Sequence, residues 1–77
     1  EQKILSEINI YPNPSNNGFV TVDILADKQI VITNEIGQII ISQLVNRTAT
    51  IDISKLAPGI YFVNSTDKIV NATLAVE

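Results

Sequence analysis

Aliphatic and polar residues alternate with a period of two along much of this chain. Val20, Val22 and Ile24 are separated by Thr21 and Asp23, and Ile51 and Ile53 by Asp52, with Thr50 ahead of them. Such alternation turns one face of an extended strand inward and leaves the other wet. Residues 29–33 and 38–44 read differently, because they are aliphatic on both faces. That pattern suits strands that are central or covered on both sides, and β-branched isoleucine favours an extended backbone. No stretch carries apolar residues at the three- and four-residue spacing of a helix.

Turn chemistry divides these runs. The proline ring fixes φ and removes a backbone donor, and it pushes the preceding residue toward extended conformations. Pro12 and Pro14 therefore end a strand that passes through Ile8 and Ile10, and the short side chain of Asn13 is expected to hydrogen-bond backbone two residues on. Pro58 presets a turn, and Gly59 tolerates positive φ before a strand begins at Ile60. Asn34-Glu35-Ile36-Gly37 reads as a hairpin loop with Gly37 in the left-handed position that closes a type I turn with a bulge. The third and fourth strands should pair across it.

These signals give about seven strands, at residues 8–11, 19–24, 29–33, 38–44, 48–53, 59–65 and 69–76. Short strands punctuated in this way predict an all-β fold, a small antiparallel β-sandwich that is immunoglobulin-like in architecture only, since the tryptophan and paired cysteines of antibody domains are absent. The predicted inward set is Ile10, Val20, Val22, Ile24, Ile30, Ile32, Ile36, Ile39, Ile41, Ile51, Ile53, Leu56, Tyr61, Val63 and Leu74. Tyr61 and Phe62 are adjacent, so they must point to opposite faces. Tyr61 is expected in the core with its hydroxyl on backbone near a corner.

Composition sets the scale. At 77 residues there is room for one small core and no second one. Cysteine is absent, which removes disulfides and thiolate metal sites as supplements to that core. The net charge of −3, with Lys3, Lys28, Arg47, Lys55 and Lys68 scattered, argues against nucleic acid as a partner. The densest apolar run, Ile39-Ile40-Ile41, gives way to Ser42 and Gln43, far short of the roughly 18 residues that span a bilayer. Membrane insertion by this chain alone is not expected. Residues 1–7 also lack the basic and apolar regions of a secretory signal peptide.

Candidate chemistry is sparse. Without His or Cys, the usual neutral-pH base, thiolate nucleophile and transition-metal ligands are missing. Carboxylate pairs such as Asp23 with Asp27 or Glu35 with Asp52 read as solvated groups, because no calcium-loop spacing accompanies them. Gly18, Gly37 and Gly59 lie too far apart to form a phosphate cradle. The Asn-X-Ser/Thr triplets at Asn46, Asn64 and Asn71 are short enough to arise by chance. Neither an enzyme nor a cofactor is expected.

One family shares the order of these pieces. Pro12-Asn13-Pro14, then Gly37 after the aliphatic third strand, then Leu56, Gly59 and Tyr61 in a Leu-x-x-Gly-x-Tyr arrangement resemble the type A C-terminal sorting domain of proteins exported by the type IX secretion system of Bacteroidota. The resemblance runs from about Ile8 to the end, with Ile51-Asp52-Ile53-Ser54 directly ahead of the last motif. Family members often finish with a basic strand, whereas here Lys68 is the final cation and Glu77 is acidic. The recognition residues expected on this basis are Pro12, Asn13, Pro14, Gly37, Leu56, Gly59, Tyr61 and Lys68.

The resemblance implies a non-enzymatic signal at residues 8–77, preceded at residues 1–7 by a linker or remnant of a cargo protein. Such proteins reach the periplasm by a separate N-terminal signal. The type IX machinery, with its outer-membrane shuttle and sortase proteins, then carries them across the outer membrane to the cell surface or medium. A sortase-like peptidase commonly removes the domain, and the cargo is released or joined to lipopolysaccharide. A sandwich of this kind can be read through the main chain of an edge strand, and the last hairpin, residues 59–65 with 69–76, is the expected element. The alternative is a ligand- or carbohydrate-binding adhesive sandwich accessory to a surface protein. That reading calls for an exposed aromatic cluster, a calcium site or a large apolar patch.

Overall fold

A computed structural model describes residues 8–68 and 70–77, and the expected remnant at residues 1–7 lies outside them. Seven strands follow one another: β1 (Ile8–Tyr11), β2 (Phe19–Ile24), β3 (Lys28–Thr33), β4 (Ile39–Val45), β5 (Thr48–Asp52), β6 (Gly59–Ser65) and β7 (Asn71–Val76). They form two antiparallel sheets, one in the order β1-β2-β5 and the other in the order β4-β3-β6-β7. No helix occurs among the described residues. The all-β sandwich read from the alternation is therefore the observed architecture. Predicted and observed strand limits differ by one or two residues, with Ile69 outside the described set.

The core lies between the sheets. Val20, Val22, Ile24 and Ile51 enter it from the three-stranded sheet, and Ile30, Ile32, Val45, Tyr61, Val63 and Leu74 enter from the four-stranded one. Ile53 and Val70 close it from the connections. Ile10, Ile41 and Leu56, expected inside, pack against it half-buried. Burying each aliphatic side chain contributes about 1.5–3 kcal/mol, and the β-branched majority suits the pleated backbone that presents them.

Two expected core residues face solvent. Ile36 is 80% exposed because it sits at the tip of the β3–β4 turn. Ile39 is 64% exposed for a different reason. The register runs Ile32↔Ile41 and then Thr33↔Ile39, so Ile40 is an extra residue in β4. One inserted residue reverses which face the next side chain takes. Ile41 and Val45 point toward the core, while Ile39 joins Thr33 on the outer face.

The same strand corrects a second expectation. The aliphatic run at residues 38–44 suggested a strand that is central or covered, yet β4 ends its sheet, and β3 is the interior strand beside it. Apolar content on both faces of β4 thus leaves Ile39, Ile40 and Leu44 exposed.

Candidate functional site

The two sequence signatures do their work through hydrogen bonds at the ends of strands. Tyr11 closes β1, and the Tyr11–Pro12 and Asn13–Pro14 peptide bonds are both cis. Asn13 does not bond backbone two residues on, as its local sequence suggested. Its Nδ2 donates to the Thr73 carbonyl at 2.9 Å, and its Oδ1 accepts from the Ala75 N–H at 3.0 Å. Ser15 follows, donating its N–H to the Ala75 carbonyl and accepting from the Glu77 N–H, both at 2.8 Å. The Ser15 hydroxyl is buried and donates to the Phe19 carbonyl at 3.0 Å, which ties this segment to the start of β2.

Around the second signature, Leu56 donates its N–H to the Ile53 carbonyl at 3.0 Å and rests half-buried on the core. The Tyr61 hydroxyl donates to the Ala57 carbonyl at 2.7 Å while its ring is buried, which is the corner contact expected for it. Pro58 and Gly59 lie between the two bonded residues, and Gly59 takes a φ of 154°, a value that side-chain-bearing residues rarely adopt. Just upstream, the Ser54 N–H donates to Asp52 Oδ1 at 2.9 Å. Hydrogen bonds from the Ser54 side chain and backbone, with a smaller contribution from Lys55, hold the Asp52 carboxyl below its ordinary range.

Gly37 and Lys68 close hairpins. Gly37 has φ 89° and donates to the Asn34 carbonyl at 3.1 Å, while Asn34 N–H donates to the Gln38 carbonyl at 3.0 Å. This is the type I turn with a left-handed closing residue. Lys68 takes the left-handed position (φ 68°) of the β6–β7 turn and is exposed there. Beneath that turn Ser65 is buried, accepting from the Val70 N–H at 3.0 Å and donating to Asp67, which also pairs with Lys28 at 2.7 Å. Sequence reasoning did not single out Ser15, Ser65 or this ion pair, because isolated serines carry no periodic signal.

The residues expected to carry recognition thus do not gather at one place. Pro12, Asn13 and Pro14 lie along β7, Leu56 at the corner before β6, Gly59 and Tyr61 at the start of that strand, and Gly37 and Lys68 at two hairpin turns. Gly37, Lys68 and Tyr61 fix turns and a corner, while Asn13 occupies a strand margin.

The strand margins are unequal. The Thr66 N–H donates to the Gln29 carbonyl, so Gln29 and Val31 face β6 and Ile30 and Ile32 face β4. Ile30 is opposite Gln43, so by alternation the main-chain groups of Ser42 and Leu44 point away from β3. Among the described residues no strand pairs there. Beside this margin runs a groove lined by Ile40, Ile41, Ile53 and Leu56, with Asp52 and Lys55 at its polar rim. Phe62 and Ile60 add partly exposed apolar surface on β6.

On β7 the outward groups belong to Asn71, Thr73, Ala75 and Glu77, and those from the Thr73 carbonyl to the Glu77 N–H are taken by Asn13 and Ser15. The expected reading element, the last hairpin, has its outer margin largely occupied.

Among the described residues no three carboxylates converge to hold a metal ion. Tyr11 and Phe19 are half-exposed on the outside of the three-stranded sheet, and Phe62 is on the outside of the other, so the aromatics do not form one platform. Comparison with known proteins gives one family match: the model of the secretion system C-terminal sorting domain matches residues 9–75. No curated protein and no solved structure matches the chain.

Proposed function

Because the chain belongs to the family of type IX secretion C-terminal sorting domains, we propose that it is the export label of a cargo protein and performs no catalysis itself. The observation that carries this reading is the extent of the family match, which covers nearly the whole sandwich and includes every signature residue. The label acts at the outer membrane, where the type IX machinery and its shuttle proteins pass the cargo to the cell surface or the medium. There a sortase-like peptidase removes the domain, cutting ahead of Ile8, and the cargo is released or joined to lipopolysaccharide.

The machinery reads the label through main-chain pairing at β4. Strand addition draws its affinity from backbone groups and asks little of side-chain identity, so differing labels can share one receptor. The open margin at Ser42 and Leu44, with the neighbouring groove for apolar side chains, supports β4 over the occupied margin of β7.

A reporter carrying a periplasmic signal, fused ahead of this chain, tests the reading in a type IX host. Export of the fusion and retention of the bare reporter is the expected result; equal export of both refutes it. Ser42→Pro tests the edge, since it removes an outward N–H from an edge strand, where proline is tolerated. The variant should fold and stay in the periplasm. Cleavage is checked by size, with the exported reporter shorter than the retained one.

A further inference from the structure

The bonds of residues 12–15 to β7 follow a pattern that neither signature predicted. In a parallel ladder, one residue donates its N–H to the carbonyl before its partner and accepts from the N–H after it. Ser15 does this with its backbone opposite Val76, donating to the Ala75 carbonyl and accepting from the Glu77 N–H. Asn13 does the same one rung earlier, opposite Leu74, with its side chain: Nδ2 donates to the Thr73 carbonyl and Oδ1 accepts from the Ala75 N–H. A carboxamide carries the same donor and acceptor as a peptide group. Asn13 fills this rung with its carboxamide and not with its own peptide group, and the prolines on either side of it have no N–H.

We propose that residues 12–15 are an edge guard for the last strand, in which the Asn13 carboxamide stands in for a peptide group and keeps β7 closed to strand addition. Release of the guard exposes the Thr73 carbonyl, both main-chain groups of Ala75 and the Glu77 N–H. β7, Asn-Ala-Thr-Leu-Ala-Val, carries no charge, so a second copy of the same strand can approach it without like-charge repulsion. The guard therefore keeps the domain monomeric along this margin. The inference rests on this geometry and not on the export reading, and its test uses no export readout.

Amide hydrogen exchange and sedimentation of the chain and of Asn13→Ala provide the test. In dilute solution, where the variant is still monomeric, loss of the rung should speed exchange at Ala75 about tenfold, the effect of one net hydrogen bond, while Ile32 in the central strand is unchanged. At higher concentrations, where the parent stays monomeric, the variant should dimerise. Unchanged exchange at Ala75 in the dilute sample, equal acceleration there at Ala75 and Ile32, or a variant that stays monomeric in the concentrated one each overturns the proposal. If Asn13→Ala does not fold, Asn13→Asp decides. It keeps the acceptor for Ala75 but sets a carboxylate oxygen against the Thr73 carbonyl, so exchange at Ala75 should rise by less than tenfold; no rise overturns the proposal.

Discussion

At one margin of the four-stranded sheet β4 leaves main-chain groups unpaired beside exposed Ile39, Ile40 and Leu44, whereas at the other β7 has its corresponding groups filled by Asn13 and Ser15. Open apolar margins invite association, and folded proteins usually blunt them with charge, proline or a covering segment. This domain covers β7 with a proline-flanked segment and gives β4 only a bulge. Within this sheet, β4 is thus the margin with more main-chain groups left for an incoming strand.

The contrast can be broken from the core outward. Ile32→Ala empties a fully buried position in the strand that supports β4, and should cost about 2–5 kcal/mol in urea unfolding. Both margins are then lost together. Ser65→Ala acts on the β7 side alone, leaving the Val70 N–H buried without its acceptor, and should cost about 1–3 kcal/mol by the same measurement. Ile39→Lys with Leu44→Lys acts on the β4 side alone. Both side chains are exposed, so stability should change by less than about 0.5 kcal/mol while self-association measured by light scattering falls.

The smallest effect is at Asp52, beside the β4 groove. Its carboxyl is held below its ordinary range in the folded chain, so the folded state binds fewer protons than the unfolded one in that interval. The stabilisation is complete above the ordinary carboxylate range and is lost as pH falls through the depressed value. An acid titration of Tm should therefore fall less steeply in Asp52→Asn than in the parent.

The same contrast explains what the sequence could disclose. Val20, Val22, Ile24 and Ile51 alternate with polar residues, and all four are buried as read. The hairpin at Gly37 was legible because its turn chemistry is local. Ile39 was not, since one inserted residue at Ile40 reverses its face without altering the aliphatic composition of the run. Asn13 was misread for lack of locality: its partners lie 60 and 62 residues away, beyond any local pattern. Val70 and Val45, each at the end of a strand-like run, were missed for the same reason that boundaries are hard to place. The physical roles of the signature residues, turn closure and hydrogen bonding across the fold, came only from the structure.

The span of the Asn13 contact bears on when the fold can close. A ribosome delivers Asn13 some 60 residues before Thr73, so the ladder rungs cannot close until the closing stretch of this chain has been translated. A polypeptide cut short by premature termination lacks β7 and leaves Pro12-Asn13-Pro14 with nothing to clasp. Closure of this edge therefore waits on β7, and the segment that ends β1 finds its partner only after six other strands have been made.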